Sequence, residues 1–380
     1  MYAIDMSRVE AAKDRAYACA LALPSPRRVV SHRRERRVAI GDPQAPLETF
    51  LAILDGHGLL GDDGWLRPEV MLVTMGDHFD WGGLAQAAKA ADDALALLAW
   101  LAHHHDDHVV LIAGNHDLGR VGELAAFDDE RFVRAREDAS VAYKDGETDR
   151  DAERTFLARW PELPTAEVAA RDFAAFRAQQ RALVTHLLRE GRFHMGYAPH
   201  DHLLLVHAGI TAPQLQAVGI DPASGARAIA GALDARLMDA VRAWSGPPAR
   251  RDIPGLHRSG DAKGGEGGGV LYHRAARSVD SDRRYDPRAL PLGLAQAIGH
   301  VRDKKQREML GEGWHDGAEP LDGPLRHLVT DGAEVRYARG LPDGIDRARA
   351  TVLYLDAGMS HAPVDAYELL DLDDPRLAPR

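Results

Sequence analysis

Five short segments of this chain carry residue types that hold metal ions and move protons: Asp42-Pro43-Gln44, Gly76-Asp77-His78-Phe79-Asp80, Gly114-Asn115-His116-Asp117, Val206-His207-Ala208-Gly209-Ile210 and Gly299-His300. Each places hard or borderline donors just past an apolar run, with a glycine before most of them to let the backbone turn sharply off its strand. Chemistry at a pair of metal ions needs one carboxylate able to bridge them, with oxygen and imidazole ligands on either side. Asp77 fits the bridge. Asp42 and Gln44 fit one ion, and Asn115, His207 and His300 the other. Taken singly, each segment is ordinary turn chemistry. Together they are too many turns of one kind to be only structural.

The elements that must position these residues are legible around them. Residues 38–40, 70–75 and 109–113 are continuous apolar runs, each closed by Gly plus an acid or amide. Helical stretches follow the first two, at 47–54 and 84–101. Buried strands alternating with helices predict an α/β sheet covered on both faces. In open α/β sheets ligands bind beyond the carboxyl ends of the strands, so the three junctions should converge. Residues 118–191 are charged and helix-like and interrupt the strand pattern, which predicts a helical insertion with one long helix over 166–189. Strands resume at 193–197 and 203–206, and the last are expected at 334–338 and 350–355. The stretch Ser-Gly-Asp-Ala-Lys-Gly-Gly-Glu-Gly-Gly-Gly at 259–269 predicts a mobile loop. The domain reading is an N-terminal segment at 1–36, one domain at 37–362 and a tail at 363–380.

Composition narrows the class. The chain has 380 residues, 45% hydrophobic and 28% charged, which excludes a disordered, collagen-like or coiled-coil protein. A net charge of −11 argues against a nucleic-acid partner bound by neutralising phosphates. The single cysteine, Cys19, excludes an internal disulfide and a cysteine-based zinc site. No window offers about 18 uninterrupted apolar residues and no signal peptide opens the chain, so no membrane contact and a cytoplasmic location are expected. Asn115 is the only asparagine, and it stands inside the third junction.

In their order and residue types these motifs resemble the calcineurin-like metallophosphoesterase superfamily, and within it the bacterial serine/threonine phosphoprotein phosphatase branch. The matching elements are Gly76-Asp77 with Asp80, Gly114-Asn115-His116-Asp117, Val206-His207-Ala208-Gly209-Ile210 and Gly299-His300. The run Gly269-Val270-Leu271-Tyr272-His273-Arg274 and the segment Leu355-Asp356-Ala357-Gly358 extend the match to about residues 37–360. The resemblance implies a two-sheet β-sandwich flanked by helices, with a dimetal site at the strand ends. It implies the metal ligands Asp42, Gln44, Asp77, Asn115, His207 and His300, and a metal-bridging hydroxide that attacks phosphorus. His116 is then the general acid, held by Asp80, and Arg274 grips the phosphoryl oxygens. The expected cofactors are two divalent ions, manganese first, with iron or zinc as alternatives. The expected partner is a phosphorylated substrate. A dinucleoside polyphosphate hydrolase and a degenerate phosphatase-like binding domain are the competing readings.

Three positions depart from the branch. Gln44 stands where most members have His, and its harder amide oxygen favours manganese, magnesium or iron. Trp81 replaces the arginine that follows Asp80, which leaves Arg120 as the candidate second phosphate guanidinium. Val301-Arg302 follows His300 where many relatives have a second histidine, and the phosphatase branch lacks that histidine too. Other histidines read as structural: His103-His104-His105 as a solvated helix end, His78 as wall, His200 and His202 as surface. His361 is a minor candidate for the site. Arg33-Arg34-Glu35-Arg36-Arg37 reads as a solvated edge.

Overall fold

The computed structural model describes residues 2–22, 34–246 and 249–380; Arg33, the first residue of the basic run, lies outside them. Helix α1 (Met6–Leu21) precedes the expected units: β1 (Arg36–Ile40), α2 (Leu47–Gly56), β2 (Val70–Thr74), α3 (Ala87–His103) and β3 (Val109–Ile112). Helix α4 (Asn115–Gly119) opens at the third junction. The insertion follows as α5 (Asp129–Ala142), a hairpin of β4 (Tyr143–Lys144) and β5 (Glu147–Thr148), α6 (Arg150–Arg159), a π turn at Val168–Asp172 and α7 (Ala178–Arg189). The chain then returns through β6 (Phe193–His194), β7 (Tyr197–His200), β8 (Leu203–Leu205), α8 (Ala212–Ala217) and α9 (Ala226–Ala243). The last part holds β9 (Arg274–Ala275), β10 (Arg284–Tyr285), β11 (Ala295–Ile298), α10 (Asp303–Leu310), β12 (Arg326–Thr330), β13 (Val335–Arg339), β14 (Ala350–Tyr354) and β15 (Leu370–Asp371).

Two main sheets face each other. One has the order β15-β1-β2-β3-β6 and the other β13-β12-β14-β11-β8-β7. Strand alternation explains the layering. Ala39, Val73, Val110 and Ile112 of the first sheet meet Leu203, Leu205, Ala297 and Leu353 of the second in a core between the sheets. Their sequence neighbours Val38, Leu72, Leu111, Leu204 and Val352 face outward into the larger core that the helices cover. Burial on both faces is why these strands read as continuous apolar runs. Strands β1, β2 and β3 run parallel, as do β8, β11 and β14, so each sheet sends its carboxyl ends to the same side.

The insertion has its own core of Phe127, Phe132, Phe156, Trp160 and Phe176. This explains why the long helix expected over 166–189 is broken. Phe173 and Phe176 belong to the insertion core, while Leu183, Val184 and Leu187 face the main core, and one straight helix cannot serve both. Gln180 caps the break, its side-chain oxygen accepting from the Arg177 amide at 3.2 Å. The strand expected at 193–197 is likewise divided between the two sheets as β6 and β7.

Both ends of the chain join the domain. Val9, Ala12 and Ala16 of α1 are buried against it, and β15 pairs antiparallel with β1, with Tyr367, Leu370 and Leu372 inside. The glycine-rich stretch closes as a hairpin: Arg258 and Gly268 exchange backbone hydrogen bonds, as do Asp261 and Gly265. The described part of the basic run is paired, with Arg34 on Asp107, Arg36 on the His57 carbonyl and Arg37 on Asp373. Among the described residues no helix is long and apolar enough to cross a membrane.

A buried acid ties the hairpin down. Glu123 accepts from the Gly260 amide at 2.6 Å through one carboxylate oxygen, and the other oxygen has no partner. Burial pushes its pKa up to about 7. The folded state therefore keeps this proton to about pH 7, whereas the unfolded chain releases it near pH 4.5. The contribution is full below the unfolded value and is lost as pH rises through the folded one. Glu123→Gln removes the titration. Between pH 5 and pH 8 the stability of the variant relative to wild type should rise by about 2–3 kcal/mol, read from denaturant melts. An equal difference at both pH values would show that Glu123 does not carry the buried proton.

Candidate active site

The turns after the strands bring the candidate residues to one place. Asp42, Gln44, Asp77, His116, Arg274 and His300 line a single cavity of about 780 Å³. Asn115 and His207 reach the same point by contact: His207 Nε2 lies 3.1 Å from Asn115 Oδ1, 3.2 Å from His300 Nδ1 and 3.5 Å from Asp77 Oδ2. Asp77, His207 and His300 offer ligand atoms all within 4.8 Å of one another, which makes them a candidate metal centre. The backbone is strained here to achieve this. Asp77, Asp80 and His300 have φ of 55°, 65° and 65°, in the left-handed region that non-glycine residues rarely occupy.

Glycine serves two purposes at these junctions. Gly76 makes the expected turn, with φ of 95°. At Gly299 the reason is close approach: a Cβ there would sit 1.9 Å from Asp42 Oδ1.

The donor set fits divalent ions. His207 Nδ1 hydrogen-bonds the Met75 carbonyl at 2.7 Å, which places the proton on that nitrogen and leaves Nε2 as a lone pair. That lone pair faces an amide oxygen, a carboxylate oxygen and a second imidazole nitrogen. Of these four atoms only His300 Nδ1 can carry a proton of its own, and a cation would satisfy all four at once. Across the site, Asp42 Oδ2 accepts from the His300 amide at 2.8 Å, while its buried Oδ1 has no partner. Burial, with the Asp356 and Asp77 carboxylates adding, pushes Asp42 well above the usual carboxylate range. Burial raises Asp356 as well. Gln44 donates its amide N–H to the Phe79 carbonyl at 3.1 Å, which leaves its oxygen free beside Asp42.

Behind these ligands stands a second set. His116 Nδ1 meets Asp80 Oδ2 at 2.8 Å, and its Nε2 is 3.9 Å from Asp77 Oδ2. Burial works against protonation of His116, but Asp77 and Asp80 outweigh it and push its pKa up to about 9. Asp80 is buried too, and burial alone would raise its pKa. The Arg120 guanidinium and His116 hold it below the usual range instead. Phe173, from the insertion, packs edge-on against the His116 ring, with centroids 5.8 Å apart.

Several residues fall elsewhere than the sequence suggested. Arg120 is fully buried and forks onto both oxygens of Asp80, so it does not line the cavity. Trp81 packs against Ala90, Ala91 and Ala175 and carries Lys89 over its ring. His78 is held by Thr74 and Asp117 away from the acceptor cluster, as the wall reading expects. His104 is buried, hydrogen-bonded to the Trp100 carbonyl, rather than solvated. His200 and His202 hold the carbonyls of Leu372 and Leu377. His361 borders a small side cavity of about 160 Å³ beside Asp42, Gln44 and Trp81.

Sequence reasoning gave no role to Asp117, whose carboxylate accepts the amides of Asp77, His78 and Gly114 and so shapes two of the turns. Its place in the Gly114-Asn115-His116-Asp117 run was the available signal. Nor did it foresee Arg171, Arg283 and Arg284 at the cavity wall.

Residues 36–170 match the family model of calcineurin-like phosphoesterases, the stretch that supplies Asp42, Gln44, Asp77, Asp80, Asn115 and His116. The match supports the metallophosphoesterase superfamily, in agreement with the mixed α/β fold. No curated protein matches the chain. Among solved structures, a cold-active protein tyrosine phosphatase aligns at 17% identity over 60% of this chain, with a TM-score of 0.28. This chain covers 59% of that protein's length.

Proposed function

We propose that this chain is a two-metal phosphomonoester hydrolase with the chemistry of serine/threonine phosphoprotein phosphatases. The observation that carries it is the cluster of His207, Asn115, His300 and Asp77 beside Asp42 and Gln44, with His116 on the wall of the same cavity. Asp42, Gln44 and Asp77 would hold one ion, and Asp77, Asn115, His207 and His300 the other. Bound there, divalent ions supply Lewis-acid stabilisation of phosphoryl charge and lower the pKa of the attacking water. The chain's own residues do the rest. Arg274, at the cavity wall, grips the phosphoryl oxygens by its planar fork. His116 gives the proton on Nε2 to the leaving oxygen, and Asp80 fixes the ring through Nδ1. Arg120 neutralises Asp80 and keeps it in place.

A binding domain without turnover has no use for a positioned acid, so the intact Asp80–His116 pair favours the enzyme reading. The test is a side-by-side assay with Mn²⁺ of an aryl phosphate, a phosphoserine peptide and a dinucleoside polyphosphate. Turnover of the first two, abolished by a chelator, is the expected result. Cleavage of the dinucleoside polyphosphate alone would replace this reading with phosphoanhydride hydrolysis.

A further inference from the structure

The cavity is larger than one phosphoryl group needs. At about 780 Å³ it is of the size that takes drug-sized ligands, and a single phosphoryl group leaves most of it empty. Apart from the ligand-side acids Asp42, Asp77 and Asp356, its walls carry six cationic side chains against four acidic ones. Two of the cations are placed together by backbone pairing. Strands β9 and β10 run parallel with Arg284 directly opposite Arg274. The Arg274 amide donates to the Arg283 carbonyl at 2.9 Å, and the Ala276 amide to the Tyr285 carbonyl at 2.8 Å. Paired residues on neighbouring strands share a face about 4.8 Å apart, so the two arginines leave the ladder on one face, and both line the cavity.

Among the described residues Arg274 has no acidic partner, and Arg284 has an exposed one. Arg274 reaches the Tyr272 carbonyl at 3.5 Å. Arg284 uses Nη1 on Asp280 at 2.8 Å, in a pair whose side chains are 35% and 57% exposed. A pair so exposed contributes about 0–1 kcal/mol and yields readily to a dianion.

Resting on the phosphoester-hydrolase reading, we propose that Arg284, on the rung beside Arg274, forms a subsite for a second phosphoryl group of the substrate, joined to the scissile one directly or through a short linker. Arg274 takes the phosphoryl group that is transferred. Arg284 takes its neighbour on the leaving side, releasing Asp280 as it does so. A substrate with one phosphoryl group leaves the second guanidinium unused.

The experiment compares phenyl phosphate, ADP and ethane-1,2-diol bisphosphate on the Mn²⁺-loaded enzyme, as wild type and as Arg284→Gln. ADP and the bisphosphate distinguish a directly joined second group from a linked one. The kcat/KM ratio of the better of these to phenyl phosphate should fall about tenfold or more in the variant, the loss of one charge-assisted contact. Calorimetric titration with pyrophosphate and orthophosphate gives a readout independent of turnover. Arg284→Gln should weaken pyrophosphate more than orthophosphate, and Asp280→Asn, which frees Arg284, should tighten it. Ratios unchanged within twofold, or equal weakening of both anions, overturn the subsite. If the wild type hydrolyses none of the three substrates, the hydrolase reading fails, and the two titrations still decide the subsite.

Discussion

Asp77→Asn should lose both metal ions together and with them at least about a thousandfold in kcat, since metal ions supply several kcal/mol to such reactions and each 1.4 is tenfold. The argument is positional. Asp77 Oδ1 accepts the His116 amide at 2.9 Å, which fixes the carboxylate plane, and Oδ2 faces His207 Nε2 at 3.5 Å. Asp42 and Gln44 line the same cavity. An amide oxygen in place of Oδ1 can still accept from His116, so the turn is preserved, but the bridging charge is gone. Asparagine is also the substitution that tolerates φ of 55°. Alanine would add backbone strain and confuse loss of metal with loss of fold. Metal content after gel filtration, measured with melting temperature, separates the two. A folded Asp77→Asn protein that retains two tightly bound ions would sink the two-metal site.

How far the site was legible follows from which contacts are local. Asp42, Asp77, Asn115, His207 and His300 each stand one to three residues past an apolar strand, and parallel strands deliver their carboxyl ends to one side. Sequence spacing alone therefore brings them together. The partner of Asp80 was not legible in this way. Arg120 lies 40 residues from Asp80, and only folding shows that its fork is spent on that carboxylate instead of on a phosphoryl group. The insertion was legible as helical but not as a separate core, because the same apolar periodicity serves Phe176 in one core and Leu183 in another. Strand β15 is two residues long, so nothing in its pattern marks it as an edge of the first sheet. Arg284 escaped notice for a related reason: its neighbour Arg274 is set by a two-residue ladder, not by sequence distance.

The placement of Arg120 changes what a mutant series can reveal. His116→Ala should lower kcat by roughly 10²–10⁴ for an alkyl phosphate, the usual size of general acid catalysis. For a nitrophenyl phosphate the loss should be far smaller, because the leaving group needs no proton. Arg120→Ala should show the same dependence on the leaving group. Its removal leaves Asp80 charged and buried without its fork, at a cost of about 3–5 kcal/mol in stability, and frees the carboxylate that aims His116. Arg274→Ala should instead depress all phosphomonoesters alike, since the phosphoryl group is common to them. Severity alone therefore cannot tell a clamp from a brace, but the slope of log kcat against leaving-group pKa can. A steepened slope for His116→Ala and Arg120→Ala, with the wild-type slope kept by Arg274→Ala, is the expected pattern. Equal losses on good and poor leaving groups for His116→Ala would remove the acid role. His116 would then act on transition-state charge, with Asp80 and Arg120 holding its charge in place and not aiming its proton.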